Sequence, residues 1–182
     1  RVEQPIFEIV CPPGPEFARF MVRHRSSFVL WDAVALKPIK ELHGGKETDS
    51  FIFSADGSVV VTGAWDNLVQ AWYIASGELL GRFEGHTGGI TNAAISPDGR
   101  VLASSGADGF VHAWNLADGT SLGKCGRGLT RIDGICFAPD GLSVLTTDQK
   151  GVVARWPIGG QNPVWEAQRH TSSAWTIHLS PD

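Results

Sequence analysis

The chain has almost no helix signal. Short β-branched runs alternate instead with clusters of Gly, Pro, Asp and Asn, the pattern of strands joined by tight turns. No apolar run approaches the ~18 residues that a membrane helix needs, so no spanning segment is expected. The opening residues, RVEQPIFEIVCPPGP, lack the long apolar core and small-residue cleavage site of a secretory signal. They also lack an initiator methionine, so the natural N-terminus is expected upstream. Basic residues are not in excess. Fifteen Lys and Arg stand against 19 Asp and Glu, a net charge of −4, which argues against a general nucleic-acid binder. The three cysteines, Cys11, Cys125 and Cys136, are odd in number and fit no zinc spacing. They read as small buried hydrophobes in a reducing compartment, so the expected location is cytoplasmic.

What the chain does have is a repeat. A four-residue turn recurs as SADG at Ser54, SPDG at Ser96, APDG at Ala138 and SPD at Ser180, each 42 residues after the last. Tryptophans fall at Trp31, Trp72, Trp114 and Trp156, spaced 41, 42 and 42. In SPDG, Pro97 presets φ at the first corner, Asp98 suits the second and Gly99 can take a positive φ beyond it. A second turn, Ala107-Asp108-Gly109, favours a tight hairpin. Each period holds four short strands. The first unit has two extra residues between its turn and its tryptophan, placed in the Arg23–Ser27 turn. One four-stranded unit cannot bury both of its faces alone, so neighbouring units are expected to stack face to face.

With its Gly85-His86 pair, its SPDG turn and Trp114, the repeat resembles the WD-repeat (WD-40) β-propeller family, whose period is about 40–45 residues. The resemblance implies an all-β propeller of four-stranded antiparallel blades, here an arc of four blades plus one extra strand. The blades are expected at about 1–43, 44–85, 86–127 and 128–169, with the extra inner strand at 174–180. The resemblance also implies a buried tetrad, His86, Ser104, Asp108 and Trp114. In it Asp108 takes a proton from His86, His86 bonds the Ser104 hydroxyl, and that hydroxyl meets the indole N–H. Serine, histidine and aspartate are also the parts of a nucleophilic triad. However, there is no Gly-x-Ser-x-Gly elbow and no evident oxyanion hole, so the structural role is preferred. The other units hold partial tetrads. Unit two keeps Thr62, Asp66 and Trp72 with Gly44 at the histidine position. Unit four keeps Thr146 and Trp156, with Gly128 for the histidine and Lys150 for the aspartate. Unit one keeps only Trp31. The joint loss in unit four is self-consistent, because a buried aspartate without its partner is costly.

The glycines and cations of GKCGRG at Gly123–Gly128 lack the Gly-Lys-Ser/Thr and following helix of a phosphate loop. No cofactor is expected. No metal site is expected either, since His43, His86, His112 and His170 fall in different units or on different faces. The reading is a non-catalytic scaffold that binds a protein or peptide across the narrower propeller face. By alignment, candidate contacts are His24, Trp65 and Gln149 just before the Asp position, and Glu47 and Arg131 at the start of inner strands. Ser50 and Asn92 lie slightly further along. Trp65 and Arg131 are the types enriched in binding hot spots. Arg127, Arg131 and Lys150 suggest an acidic or phosphorylated segment docked over unit four. Two alternatives remain open: a small-molecule or enzymatic site in the central channel, or an architectural part of a larger protein. The inner strands offer only Glu8, Asp133 and His178 as ionisable groups, thin for acid–base chemistry. Neither nucleic acid nor a membrane is an expected partner. An arc of four blades leaves apolar sheet faces at its ends, so self-association or a longer parent chain is expected to complete the ring.

Overall fold

A computed structural model describes residues 8–11, 19–24, 27–42, 48–128, 130–168 and 177. The extra strand at 174–180, Glu47 and His43 lie outside the described residues, as do His170 and His178. Among the described residues sixteen strands form four antiparallel sheets, and no helix occurs. The first sheet runs β1 (Glu8–Val10), β2 (Arg19–Arg23), β3 (Phe28–Asp32) and β4 (Lys37–Leu42). The second holds β5 (Thr48–Phe53), β6 (Val59–Ala64), β7 (Val69–Tyr73) and β8 (Leu79–Phe83). The third holds β9 (Ile90–Ile95), β10 (Val101–Gly106), β11 (Phe110–Asn115) and β12 (Ser121–Gly126). The fourth holds β13 (Ile132–Phe137), β14 (Ser143–Asp148), β15 (Val152–Pro157) and β16 (Trp165–Gln168). In each sheet the strands pair in chain order.

The turns work by backbone capture. Asp98 accepts hydrogen bonds from the Ser96 hydroxyl (2.6 Å) and the Arg100 amide (3.1 Å), while Gly99 takes φ +72°. At the opposite end of the third sheet, Gly109 takes φ +76°. In the second sheet Asn67 takes that place at φ +68°, a conformation asparagine tolerates. In the first sheet the His24 amide donates to the Ser27 carbonyl (2.8 Å) across the turn expected to hold the extra residues. Arg25 and Ser26 lie outside the described residues.

The cores lie between sheets. Met21, Phe28, Leu30 and Leu42 of the first sheet pack on Val60, Trp72 and Ile74. Val61, Val69 and Phe83 of the second pack on Ile90, Leu102 and Trp114 of the third. Ala103, Val111 and Cys125 of the third pack on Ile135, Val144 and Trp156 of the fourth. Facing sheets bury apolar side chains against each other, as in a solenoid or propeller. The inner strands β5, β9 and β13 lie side by side. The Thr91 hydroxyl donates to the Ile132 carbonyl of the next sheet, and Ser50 bonds Asn92 (3.4 Å). Gly63 marks a close approach between the second and third sheets: a Cβ there would stand 2.4 Å from Ile90 Cγ2.

Candidate functional site

The β6–β7, β10–β11 and β14–β15 turns share one face with the loops that precede the inner strands. The Ala107 amide donates to the Gly89 carbonyl (2.8 Å) and the Gln149 amide to that of Arg131 (3.2 Å), so each turn is tied to the loop beside it. In the third sheet the Gly85-His86 loop folds back over β10 and β11. His86 Nδ1 stands 2.9 Å from Asp108 Oδ2, and Nε2 stands 2.8 Å from Ser104 Oγ. Asp108 also accepts the Thr87 amide (2.9 Å) and the Phe110 amide (3.1 Å). Burial pushes the Asp108 carboxyl up, but the His86 hydrogen bond, the two amides and the His86 charge outweigh it and hold it at about 2. The Trp114 indole differs from the expected chain of four. It lies against the rings of His86 (6.3 Å) and His112 (5.7 Å, 21° between planes) and makes no hydrogen bond to Ser104. In the neighbouring sheets Trp72 does donate to Thr62 (3.4 Å) and Trp156 to Thr146 (2.9 Å). The γ-methyl of a threonine restricts its χ1, whereas the Ser104 hydroxyl is free to turn wholly toward His86.

His112 is a neighbour of this hydrogen-bonded chain that the repeat spacing does not signal. It pairs with Ser104 across β10–β11, and its ring centre lies 4.4 Å from that of His86. The two histidines therefore belong to one unit and one face, contrary to the sequence reading. Burial drives the His112 ring down to about 4, helped by the charges of His86 and Lys124 and opposed by Asp108. His86, Asp108 and His112 bring three possible metal-ligand atoms within 4.8 Å. Yet both His86 nitrogens already face hydrogen-bond partners, so an ion would have to displace Asp108 or Ser104.

The other sheets depart from this arrangement in different ways. Asp66 is exposed and accepts the Leu68 amide (3.3 Å). Trp31 stacks on Phe20 (6.0 Å), and its buried indole N–H, like the buried His24 Nδ1, has no hydrogen-bond partner among the described residues. In the fourth sheet the carboxylate has moved rather than vanished. Asp148, two residues before Lys150, accepts the Lys150 and Val152 amides (both 2.9 Å) and the Thr130 hydroxyl (2.7 Å). Its position matches Gly106 of the third sheet, where an added Cβ would point at His86 Nδ1 (2.6 Å) and Asp108 Oδ1 (2.8 Å). A side chain from that position thus enters the space that Asp108 fills one sheet earlier. Lys150 and Gln149 are exposed on the same turn.

Two other predicted residues meet across three sheets. Trp65 is 42% exposed and leans on the next sheet: a Cβ on Gly89 would stand 2.5 Å from its Cε3. The Arg131 guanidinium lies 5.5 Å from the Trp65 ring centre. Arg131 also faces Asp133, buried on β13, in an ion pair of 2.7 Å bent away from hydrogen-bond geometry. Burial raises the Asp133 carboxyl, and Arg131 opposes that shift. Arg127 pairs with Glu166 of β16 (3.2 Å), both largely exposed.

The profile of the WD domain, G-beta repeat family matches residues 36–73 and 77–115. The chain thus carries WD repeats at two positions within its series of four repeated four-stranded sheets. Eukaryotic translation initiation factor 3 subunit I of Aspergillus niger is 34% identical over 62 residues, 34% of this chain and 18% of that protein. The same subunit of Emericella nidulans matches equally, so the chain's match spans about a fifth of the length of these relatives. The crystal structure of the computationally designed Ika8 protein shares the fold. Its TM-score is 0.79 at 19% identity, covering 92% of this chain and 51% of that one.

Proposed function

We propose that this chain is a non-catalytic protein-interaction scaffold whose partner binds across the face carrying the β6–β7, β10–β11 and β14–β15 turns. The observation that carries the reading is the Trp65–Arg131 ledge. An exposed indole, seated on Gly89 and faced by a guanidinium, spans three successive blades. Tryptophan and arginine are the side chains that most often dominate binding energy, and stacking stiffens both before a partner arrives. The relatives are named as a subunit of a translation initiation factor, which supports work inside a larger cytoplasmic assembly. An acidic or phosphorylated segment over the fourth blade would compete with Asp133 and Glu166 for Arg131 and Arg127. The indole is therefore the principal contact and charge the secondary one. Further blades, from a longer chain or a second copy, would complete the ring.

Affinity capture from a lysate of the source organism tests this reading. Trp65→Ala should weaken retention of the partner about 30-fold, the effect of a hot-spot indole. Arg131→Glu should weaken it further. Tyr73→Ala, at the opposite face, should leave it unchanged. Undiminished retention by Trp65→Ala and Arg131→Glu would overturn the assignment.

A further inference from the structure

Beside the fourth blade lies a cavity of about 220 Å³, walled in part by the position that carries the His112 ring in the third. Strand register fixes the correspondence. Ser104 pairs with His112 across β10–β11, and Thr146 pairs with Ala154 across β14–β15. One period after His86 stands Gly128. At the cavity wall a methyl group, that of Ala154, thus stands where the third blade has the His112 imidazole, whereas a Cβ on Gly128 would meet the Phe110 ring at 2.7 Å.

Its polar groups are those that bracket an imidazole in the third blade. Thr146 Oγ1 accepts the Trp156 indole N–H (2.9 Å), which leaves its own proton to donate. The matching Ser104 hydroxyl meets His86 Nε2 at 2.8 Å. Asp148 also lines the cavity; one of its oxygens takes two backbone amides and the other, among the described residues, takes the Thr130 hydroxyl. A carboxylate oxygen has room for one more donor. The remaining walls are apolar: Ile132, Val152, Ala154 and the Trp156 ring. Arg127, Lys150 and Glu166 stand at the rim, with Arg127 and Glu166 already paired to each other.

We propose that this cavity is a binding site for an azole ring, an imidazole that completes the carboxylate–ring–hydroxyl chain of the fourth blade from outside. One ring nitrogen accepts the Thr146 proton, the opposite N–H donates to Asp148, and the ring carbons pack on Ala154 and Trp156. The ring has two possible sources, a small free azole or a histidine side chain presented by another protein. The site is separate from the Trp65 ledge, and its occupation needs no partner at that ledge.

The test is a titration of the protein carrying ¹⁵N-labelled tryptophan, reading the Trp156 indole N–H. The probes are imidazole, pyrrole and N-acetyl-histidine methylamide. Imidazole should shift that resonance saturably with a Kd in the millimolar range, as suits a five-atom ring. Pyrrole, which has the shape and the N–H but no acceptor nitrogen, should bind at least about tenfold more weakly. Ala154→Leu, which fills the cavity with carbon, should abolish the imidazole shift while the other indole resonances stay in place. Saturation by the blocked histidine as well as by imidazole identifies a side chain as the ligand; saturation by imidazole alone identifies a free azole. No saturable shift, or equal binding of imidazole and pyrrole to the unsubstituted protein, would overturn the proposal.

Discussion

Three alanine substitutions on two matching turns separate a carboxylate's structural role from its place in an alignment. The Asp108 side chain is 6% exposed and the His86 side chain is fully buried. Asp108→Ala leaves the His86 ring without its partner and strips the Thr87 and Phe110 amides of their acceptor. Each orphaned buried donor costs about 1–3 kcal/mol, and the exposed Thr87 amide can turn to water, so the expected loss is about 2–4 kcal/mol. By alignment the counterpart in the fourth blade is Lys150, but by hydrogen bonding it is Asp148. Asp148→Ala exposes the Val152 amide and the Thr130 hydroxyl to partial loss, about 1–2 kcal/mol. Lys150→Ala, an exposed side chain, should stay within about 0.5 kcal/mol. Urea unfolding followed by tryptophan fluorescence at pH 7 gives all three. The Asp108 carboxyl is held at about 2, below the ordinary 3.8. Its contribution is therefore fully present above about pH 4 and lost as the pH falls through 2, so the Asp108→Ala deficit should shrink over that window. Equal effects of Asp148→Ala and Lys150→Ala would refute the relocated carboxylate. A harmless Asp108→Ala would refute the hydrogen-bonded chain itself.

Three further outcomes follow from the same geometry. The His112 ring is held neutral down to about 4, against an ordinary 6.5. Its contribution is full above pH 6.5 and is lost as the pH falls toward 4; His112→Gln, copying Gln70 at the matching position of the second blade, should flatten the stability profile between those values. Gly63→Ala puts a methyl 2.4 Å from Ile90 Cγ2 between two blades and should cost about 1–3 kcal/mol in a urea melt. Cys125 is buried, and burial pushes its thiol up to about 12. At pH 8 a thiol reagent should label the exposed Cys11 in the folded protein and reach Cys125 only after denaturation, as peptide mapping would show.

The period, the turns and the strand content were legible because they rest on local chemistry. A Gly or Asn at a left-handed corner and a β-branched run on either side announce themselves at fixed spacing. The position of the Asp108–His86–Ser104 chain was also legible, through the resemblance to WD repeats. Three features were not. The Asp148 carboxylate reaches the turn from two residues upstream, so a column-by-column comparison sees only Lys150. The meeting of His112 with His86 depends on strand register; comparing Gln70, His112 and Ala154 as one position would have pointed to it. Trp65 and Arg131 stand out in the sequence only singly, by residue type. Their contact comes from the turning of three successive blades, which no spacing within one repeat encodes.

In the proposed function a partner engages the turn face through the Trp65–Arg131 ledge. Site-specific photocrosslinking in the source cells tests it most directly, with a benzoylphenylalanine placed in turn at positions 65, 149, 73 and 117. Crosslinks to the same partner are expected from positions 65 and 149, removed by Arg131→Glu, and none from 73 or 117 on the opposite face. Crosslinks to that partner from 73 and 117 but not from 65 and 149 would contradict it.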